Sequence, residues 1–322
     1  DFALLAPRAM EAKDAIEEAQ KAIFEVLENR SMHEDVKLPA AATIFTHGDT
    51  IGGLQTRLDA SLLNSDNAGN SEISLARDGD IQLTTVREQM EHWRDAFLKA
   101  FAEKNFSLVG FPAVSEDGEL LHYESPVRLT IDGEEISAGR FLPWINRLEM
   151  SHDLDKEVIE LALRKIEQDG QPICVNLSVA CVVEPTFVSW ISERLSSHAE
   201  AANQLWMEVA ESMAFRHLDS FRKLSTRVKQ FGCHIGIEHM GHQLSEIGKL
   251  SDVGVDYLKV DANFVRGIDD NAANQTLLRN LCTVGHSIGV LVIGEGVRTD
   301  EEWATLKEIG VDGATGPGIE LT

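Results

Sequence analysis

Glu124, Asn176, Glu208, Glu238, His239, Lys259, Asp261 and Glu295 each stand on, or just past, a short apolar run that reads as a β-strand. Oxygen donors supplied by several strand ends are how hard divalent cations and phosphates are held. The densest stretch is Cys233–Ile268. There His234-Ile235-Gly236-Ile237 runs straight into Glu238 and His239, and Tyr257-Leu258-Lys259-Val260 delivers Lys259 and Asp261 at its end. In a βα barrel the carboxyl ends of the strands face the active site, so this spacing predicts that carboxylates, an imidazole and a lysine converge. One glutamate after a strand is ordinarily a solvated loop residue or a helix cap. A set drawn from most of the strands exceeds what a core requires.

The elements that must position these groups are eight strand candidates, at 106–114, 120–130, 172–178, 205–210, 233–238, 256–260, 289–294 and 311–315. Most are separated by helix-length periodic segments, the pattern of a TIM-like (β/α)8 barrel. Only a Glu116-Asp117-Gly118 turn joins the first two, so they are expected to pair antiparallel, giving the barrel one antiparallel strand. Ahead of it, Val86, Met90, Trp93, Phe97 and Phe101 carry a helical period in a connector spanning 79–105. That helix packs on a neighbour, or serves in signalling or dimerisation. Residues 1–78 read as αβ material too short for a complete sheet. They open inside an apolar strand at Phe2–Ala6, which suggests an interrupted domain. A helix near Ala9–Asn29, a strand at Ala41–Thr46, a helix near Ile51–Leu63 and a strand at Glu72–Leu75 follow.

The 322-residue chain carries a formal net charge of -24, which argues against sequence-independent nucleic-acid binding, a task for clustered Lys and Arg. An anionic ligand requires a locally basic pocket. The sequence has neither an apolar run of membrane-spanning length nor the basic and apolar regions of a signal peptide at its start, so this portion is expected to be soluble. Cys174, Cys181, Cys233 and Cys282 lie far apart in apolar sequence without CxxC pairing and read as reduced core thiols.

Ordered blocks along the chain resemble a known family. Glu124-Ser125-Pro126-Val127-Arg128-Leu129, Phe141-Leu142-Pro143, Val175-Asn176-Leu177-Ser178, Met207-Glu208-Val209-Ala210-Glu211, the Cys233–Ile268 stretch and Gly294-Glu295-Gly296-Val297 are similar to the EAL domain of cyclic-di-GMP signalling proteins, over 106–322. Residues 1–78 resemble the second half of a GGDEF domain. Ala138–Trp144, Ile237–Gln243 and Gly313–Pro317 look most like LapD-like membrane-anchored GGDEF-EAL receptors. The resemblance implies a partial degenerate GGDEF domain at 1–78, a connector helix at 79–105 and a degenerate EAL barrel at 106–322. It also implies the cytoplasmic portion of a bacterial inner-membrane protein, a homodimer formed through the EAL domain or the connector, and control of a periplasmic protease through regions outside this chain.

Active members of the family hold two divalent ions, and Glu124, Asn176, Glu208, Lys259 and Glu295 match that pattern. The family's Asp-Asp pair is here Glu238-His239. A neutral imidazole suits Mg²⁺ poorly, and Glu238 reaches one methylene further than an aspartate. The following Phe-Gly-Thr-Gly is Met240-Gly241-His242-Gln243, although Glu211, whose counterpart steadies that loop, is present. The late Gln-Gly-Tyr is Thr315-Gly316-Pro317, Pro126 replaces the signature leucine, and Arg298 stands where a glutamate is common. The resemblance therefore implies a receptor that binds cyclic di-GMP and does not hydrolyse it, with no cofactor. Its ligand-binding set is Glu124, Arg128, Asn176, Glu208, Glu238, His239, Lys259, Asp261, Glu295 and Arg298. Arg128 matches an arginine that contacts a ligand phosphate, and its plainer reading is a surface salt bridge. His239 equally reads as a core hydrogen-bonder, and Lys259 as a structural partner of Glu238. Two other functional classes stay open: a Mg²⁺- or Mn²⁺-dependent phosphodiesterase giving linear pGpG, and a protein-interaction surface that binds no nucleotide.

Overall fold

The computed structural model describes residues 12–28, 40–45, 49–50, 54, 58, 61–62, 73–76 and 86–321. The strand expected at Phe2–Ala6, and most of the helix expected near Ile51–Leu63, lie outside these residues. The chain divides into two compact units, one comprising 1–103 with 139–148 and the other 104–138 with 149–322.

In the first unit a helix at Ala12–Glu28 accompanies a parallel pair, β1 (Ala40–Thr43) and β2 (Ile73–Ala76). Helix Val86–Glu103 realises the connector period. Its Trp93 stacks on Phe97 at 5.3 Å and on Trp144 at 6.0 Å, and Phe97 meets Phe141 edge-on at 6.2 Å. Trp144 and Phe141 belong to helix Ala138–Arg147, which the periodicity of the sequence did not bring out.

In the second unit β3 (Phe106–Leu108), β4 (Phe111–Ser115), β5 (Leu120–Glu124), β6 (Val127–Ile131) and β7 (Glu134–Ser137) come first. They are followed by β8 (Ile173–Asn176), β9 (Leu205–Ala210), β10 (His234–Met240), β11 (Tyr257–Val260), β12 (Leu291–Gly294) and β13 (Gly313–Thr315). A closed barrel runs in the order β10-β11-β12-β13-β4-β5-β8-β9. Its pairs are parallel except those of β4, which lies antiparallel to both β13 and β5, as the short turn after it demands. The expected strands at 106–114 and 120–130 need correction, because each divides in two. Val109-Gly110 separates β3 from β4, and Ser125-Pro126 separates β5 from β6. The pieces β3 and β6 join β7 in a separate antiparallel sheet of order β3-β6-β7.

Outer helices close the barrel by burying one stripe each. Helix Ser151–Asp169 buries Leu154, Val158, Ile159, Ala162, Leu163 and Ile166, and ends on Gly170, whose φ of 66° lets its N–H reach Ile166 O at 2.8 Å. Inside the barrel, Cys174, Trp206, Tyr257 and Ile293 pack with Leu121 into a solid plug rather than a pore. The Tyr257 ring occupies space that only a glycine at 236 leaves free, since a Cβ there would fall within the ring. All four cysteines are free and buried, as their apolar surroundings predict.

Candidate functional site

Strand ends in register set the site. Asn176 sits opposite Glu208, Glu208 opposite Gly236, and Lys259 opposite Ile293 one residue before Val260 meets Gly294. Asn176, Glu208, Glu238, Lys259 and Glu295 are therefore brought to the same end of the barrel by neighbouring strands.

Lys259, 3% exposed, is the hub. Its Nζ lies 2.8 Å from both oxygens of Glu208, 2.8 Å from Glu124 Oε1 and 3.6 Å from Glu295 Oε1. The alternative pairing of Lys259 with Glu238 is not what forms. β11 aims the lysine across the barrel, and Glu238 instead accepts from Asn176 Nδ2 at 2.6 Å. Burial pushes the Glu124 carboxyl up, but the Lys259 ammonium and a 2.7 Å hydrogen bond with His122 outweigh it and hold the group at about 2. Burial and the Glu124 charge push Glu208 upward against the pull of Lys259. Burial opposes the Lys259 charge, and the surrounding carboxylates of Glu208, Glu124 and Glu295 overcome it, so the ammonium persists.

His239 forms the second centre. Between Ile237 and Met240 the register of β10 against β11 slips, so β10 carries an extra residue, and His239 adopts φ 57°. A bulge with a left-handed residue re-aims side chains, which lets the adjacent Glu238 and His239 serve one site instead of opposite faces. His239 Nδ1 lies 3.1 Å from Glu295 Oε2 and 3.4 Å from Asp261 Oδ2, with Nε2 3.7 Å from Glu238. The hydrogen bond to Glu295 raises the imidazole to about 9 despite partial burial, with the charges of Glu295, Glu238 and Asp261 adding to it. Glu295 thus bridges two protein cations, one oxygen toward Lys259 and the other toward His239.

The bulge is held from behind. Glu211, buried at the start of helix Glu211–Arg216, accepts the N–H groups of Gly241 (3.1 Å), His242 (3.1 Å) and Gln243 (2.9 Å). Gly241 packs under the Phe264 ring, where no Cβ fits. Asp261, besides facing His239, caps helix Ala262–Val265 by accepting from Asn263 N at 2.7 Å.

Two predicted residues stand apart from the cluster. Arg128 lies on β6, where it donates to Val127 O at 3.2 Å and reaches Glu135 at 3.7 Å, close to its plainer reading. Arg298 is exposed, and its backbone N–H is fixed by Glu302 at 2.7 Å. The sequence reading missed His122, Tyr257 and Cys174. Strand alternation places His122 on the same face as Glu124, which was the available signal. Tyr257 donates to Met207 O at 3.1 Å and lies 3.4 Å from Glu208 Oε2 and 3.3 Å from Cys174 Sγ, so the carboxylates rest on a polar network set into the plug.

An EAL family model, described as the EAL domain, matches residues 94–320. The chain belongs to the EAL domain family. Cyclic di-GMP phosphodiesterase PdeF of Escherichia coli K12 is 25% identical over 268 residues, covering 81% of this chain and 35% of that protein. RNase E specificity factor CsrD of the same strain is 21% identical over 320 residues, covering 98% and 49%. This chain therefore spans half or less of the curated relatives it matches. Among solved structures, Vibrio cholerae LapD comprising S helix, GGDEF and EAL, bound to c-di-GMP, superposes with TM-score 0.73 at 21% identity, covering 92% of this chain and 73% of that one. The EAL-type barrel is thus established, and cyclic-di-GMP binders stand among its structural neighbours.

The EAL fold raises the question of divalent ions. Glu238, His239 and Glu295 bring ligand atoms within 4.8 Å of one another, as do His122, Glu124 and Cys174. These sets do not fit a pair of hard ions. One offers an imidazole and the other a thiol and an imidazole among the donors, and the oxygens that would ligate already face Lys259 and His239. Among the described residues no helix is long and apolar enough to cross a membrane.

The His239 geometry makes a pH prediction. An imidazole whose pKa is raised from 6.5 to about 9 on folding contributes stability that is complete below pH 6.5 and disappears as pH rises through 9. Thermal unfolding between pH 6 and 9.5 should show the wild type losing stability more steeply than His239→Asn. Parallel curves would mean that folding does not change the proton affinity of the ring.

Proposed function

We propose that this EAL domain is a receptor that binds cyclic di-GMP at the barrel mouth and leaves it intact. The observation that carries the reading is Glu295 bridging Lys259 and His239, because positive charge at the mouth is then supplied by the protein itself. A dianionic ligand entering there meets two protein cations set among the five carboxyl groups of Glu124, Glu208, Glu238, Asp261 and Glu295, whose charge they offset in part. Arg128, four residues after Glu124 and on β6, adds a third cation. Its register neighbours Ser107 and Ser137 are small and exposed, which leaves its outer side open to a phosphate. Residues 1–78 then act as the remnant of a GGDEF-type domain, a fold assignment supported by LapD superposing over 92% of the chain. The whole protein would place this portion in the cytoplasm beneath a membrane anchor and pass occupancy outward to a periplasmic protease. The retained Glu124, Asn176, Glu208, Lys259 and Glu295, with 25% identity to PdeF, favour the second reading of a phosphodiesterase giving linear pGpG.

One sample decides between them: the protein is incubated with cyclic di-GMP, once in EDTA and once in Mn²⁺, and bound nucleotide and linear product are both measured. The receptor reading expects equal affinity in the two conditions and no product. Arg128→Ala should weaken binding by about tenfold, the loss of one charge-assisted contact of 1.5 kcal/mol or so. Product that vanishes in Glu124→Ala would establish the enzyme instead.

A further inference from the structure

β4 runs against the other strands of the barrel, so the start of this strand, and not its end, lies at the mouth. The register fixes what stands there. Phe111 pairs with Glu124 and Ala113 with His122, while Thr315, the last residue of β13, meets Ala113 from the other side. Directly paired residues of an antiparallel ladder carry their side chains on one face, with Cβ atoms about 4.5–5.5 Å apart. That face is the inner one, because Ala113 and His122 have no exposed surface and Glu124 Oε1 lies 2.8 Å from Lys259 Nζ. Phe111 therefore belongs to the same layer of the barrel as Glu124, one side chain away from the lysine.

Yet Phe111 is 48% exposed. A phenyl ring on the inner face of a barrel strand is ordinarily covered by the next layer of side chains. Here that layer holds Glu124, Glu208, Lys259 and Glu295, whose polar ends pair with one another. The other rings near the site are engaged. Trp206 and Tyr257 are buried in the plug, and Phe264 has Gly241 under its ring and His242 against it at 5.3 Å. Among the described residues the other exposed phenylalanine is Phe45, in the first unit. Phe111 is thus an open apolar ring at the edge of an ionic cluster. A nucleotide requires that combination, charge for its phosphate and an aromatic face on which its base can stack.

We propose that Phe111 is the base-stacking residue of this site: one guanine of cyclic di-GMP lies on its ring while the attached phosphate stays with the charged groups of the mouth. The inference rests on the receptor reading above and extends it to a part of the ligand that the charged residues do not address. The plane of the ring, and not its bulk, is what the base uses. Tyrosine therefore replaces it and leucine does not.

Calorimetric titration of cyclic di-GMP into wild type, Phe111→Leu and Phe111→Tyr tests the assignment. Phe111→Leu should weaken binding by about 10- to 100-fold, the scale of one stacked base, and Phe111→Tyr should stay within about threefold of wild type. Because the ring is half exposed, the unliganded Phe111→Leu protein should melt within about 3 °C of wild type, which separates lost stacking from lost folding. Phe111→Trp carries the test without truncating the side chain. Its added fluorescence, over the background of the five native tryptophans, should be quenched as the site fills. Leucine binding as tightly as phenylalanine overturns the stacking role and leaves the receptor reading standing. So does a Phe111→Trp signal that saturating ligand leaves unchanged. Wild type that takes up no cyclic di-GMP sinks the receptor reading, and the stacking role with it.

Discussion

Replacing Lys259 with methionine is expected to lower the melting temperature by on the order of 10 °C and to weaken cyclic-di-GMP binding by more than about 100-fold. The stability loss follows from what remains behind. The ammonium satisfies Glu124, Glu208 and Glu295 at distances of 2.8–3.6 Å inside the barrel. Removing one partner of a buried ionic group costs about 3–5 kcal/mol, because the other charges stay desolvated and uncompensated. Two further measurements separate this from a simple packing defect. In Lys259→Met the carboxyl groups would titrate above their unfolded values, so the penalty should be greatest at pH 8 and shrink as pH falls toward 5. Adding Glu208→Gln to Lys259→Met removes a further ionic group and yet should recover part of the loss, since it takes one uncompensated charge out of the interior. A Lys259→Met protein that melts within 2 °C of wild type, with a flat pH profile, would mean that the lysine is not the hub of the site.

The positions of these groups were legible in the sequence to the extent that they depend on local pattern. Short apolar strands ending in Glu208, Glu238, Lys259 and Glu295 place carboxylates and a lysine at one end of a barrel, and the turn at Glu116-Asp117-Gly118 announces the antiparallel strand. Pairing across the barrel depends instead on which strand faces which. Glu238 stands on the neighbouring strand and is one partner the sequence offers Lys259, yet β11 directs the lysine inward to Glu124 and Glu208, on strands that do not pair with it. The division of 106–114 and 120–130 into barrel and sheet pieces was hidden for another reason. Apolar alternation continues through Gly110 and Ser125-Pro126, and periodicity does not say which sheet a residue joins. β7, with Glu134 and Glu135 exposed and only Ile136 buried, has almost no pattern to read. The bulge at Glu238-His239 is a feature of pairing, so no local count reveals it, although it is what turns both side chains into the site.

The bulge also supports the other large prediction. Glu211→Ala should cost about 3–5 kcal/mol, since three backbone N–H groups lose a charged acceptor and each hydrogen bond of that kind contributes about 1.5–3 kcal/mol before the loop relaxes toward water. Glu211→Gln should be distinctly milder. Gly241 and Gln243 both donate to Oε1, whereas His242 alone donates to Oε2, so an amide with its oxygen at the first position keeps two of the three bonds. A cost of about 1–2 kcal/mol is expected for it. The functional consequence runs through His239. The pinned residues begin two positions after His239, and they hold the backbone that keeps it at φ 57° against Glu295. Once Glu211 is gone, that left-handed conformation is no longer enforced from behind, and the imidazole moves away from its carboxylates. Glu211→Ala should therefore flatten the fall in stability between pH 6.5 and 9 that wild type shows, and reproduce the profile of His239→Asn although it leaves the histidine in place. Adding His239→Asn to Glu211→Ala should then change the profile no further. A double variant whose pH dependence is the sum of the two single ones would show that Glu211 steadies the loop without setting the charge of His239.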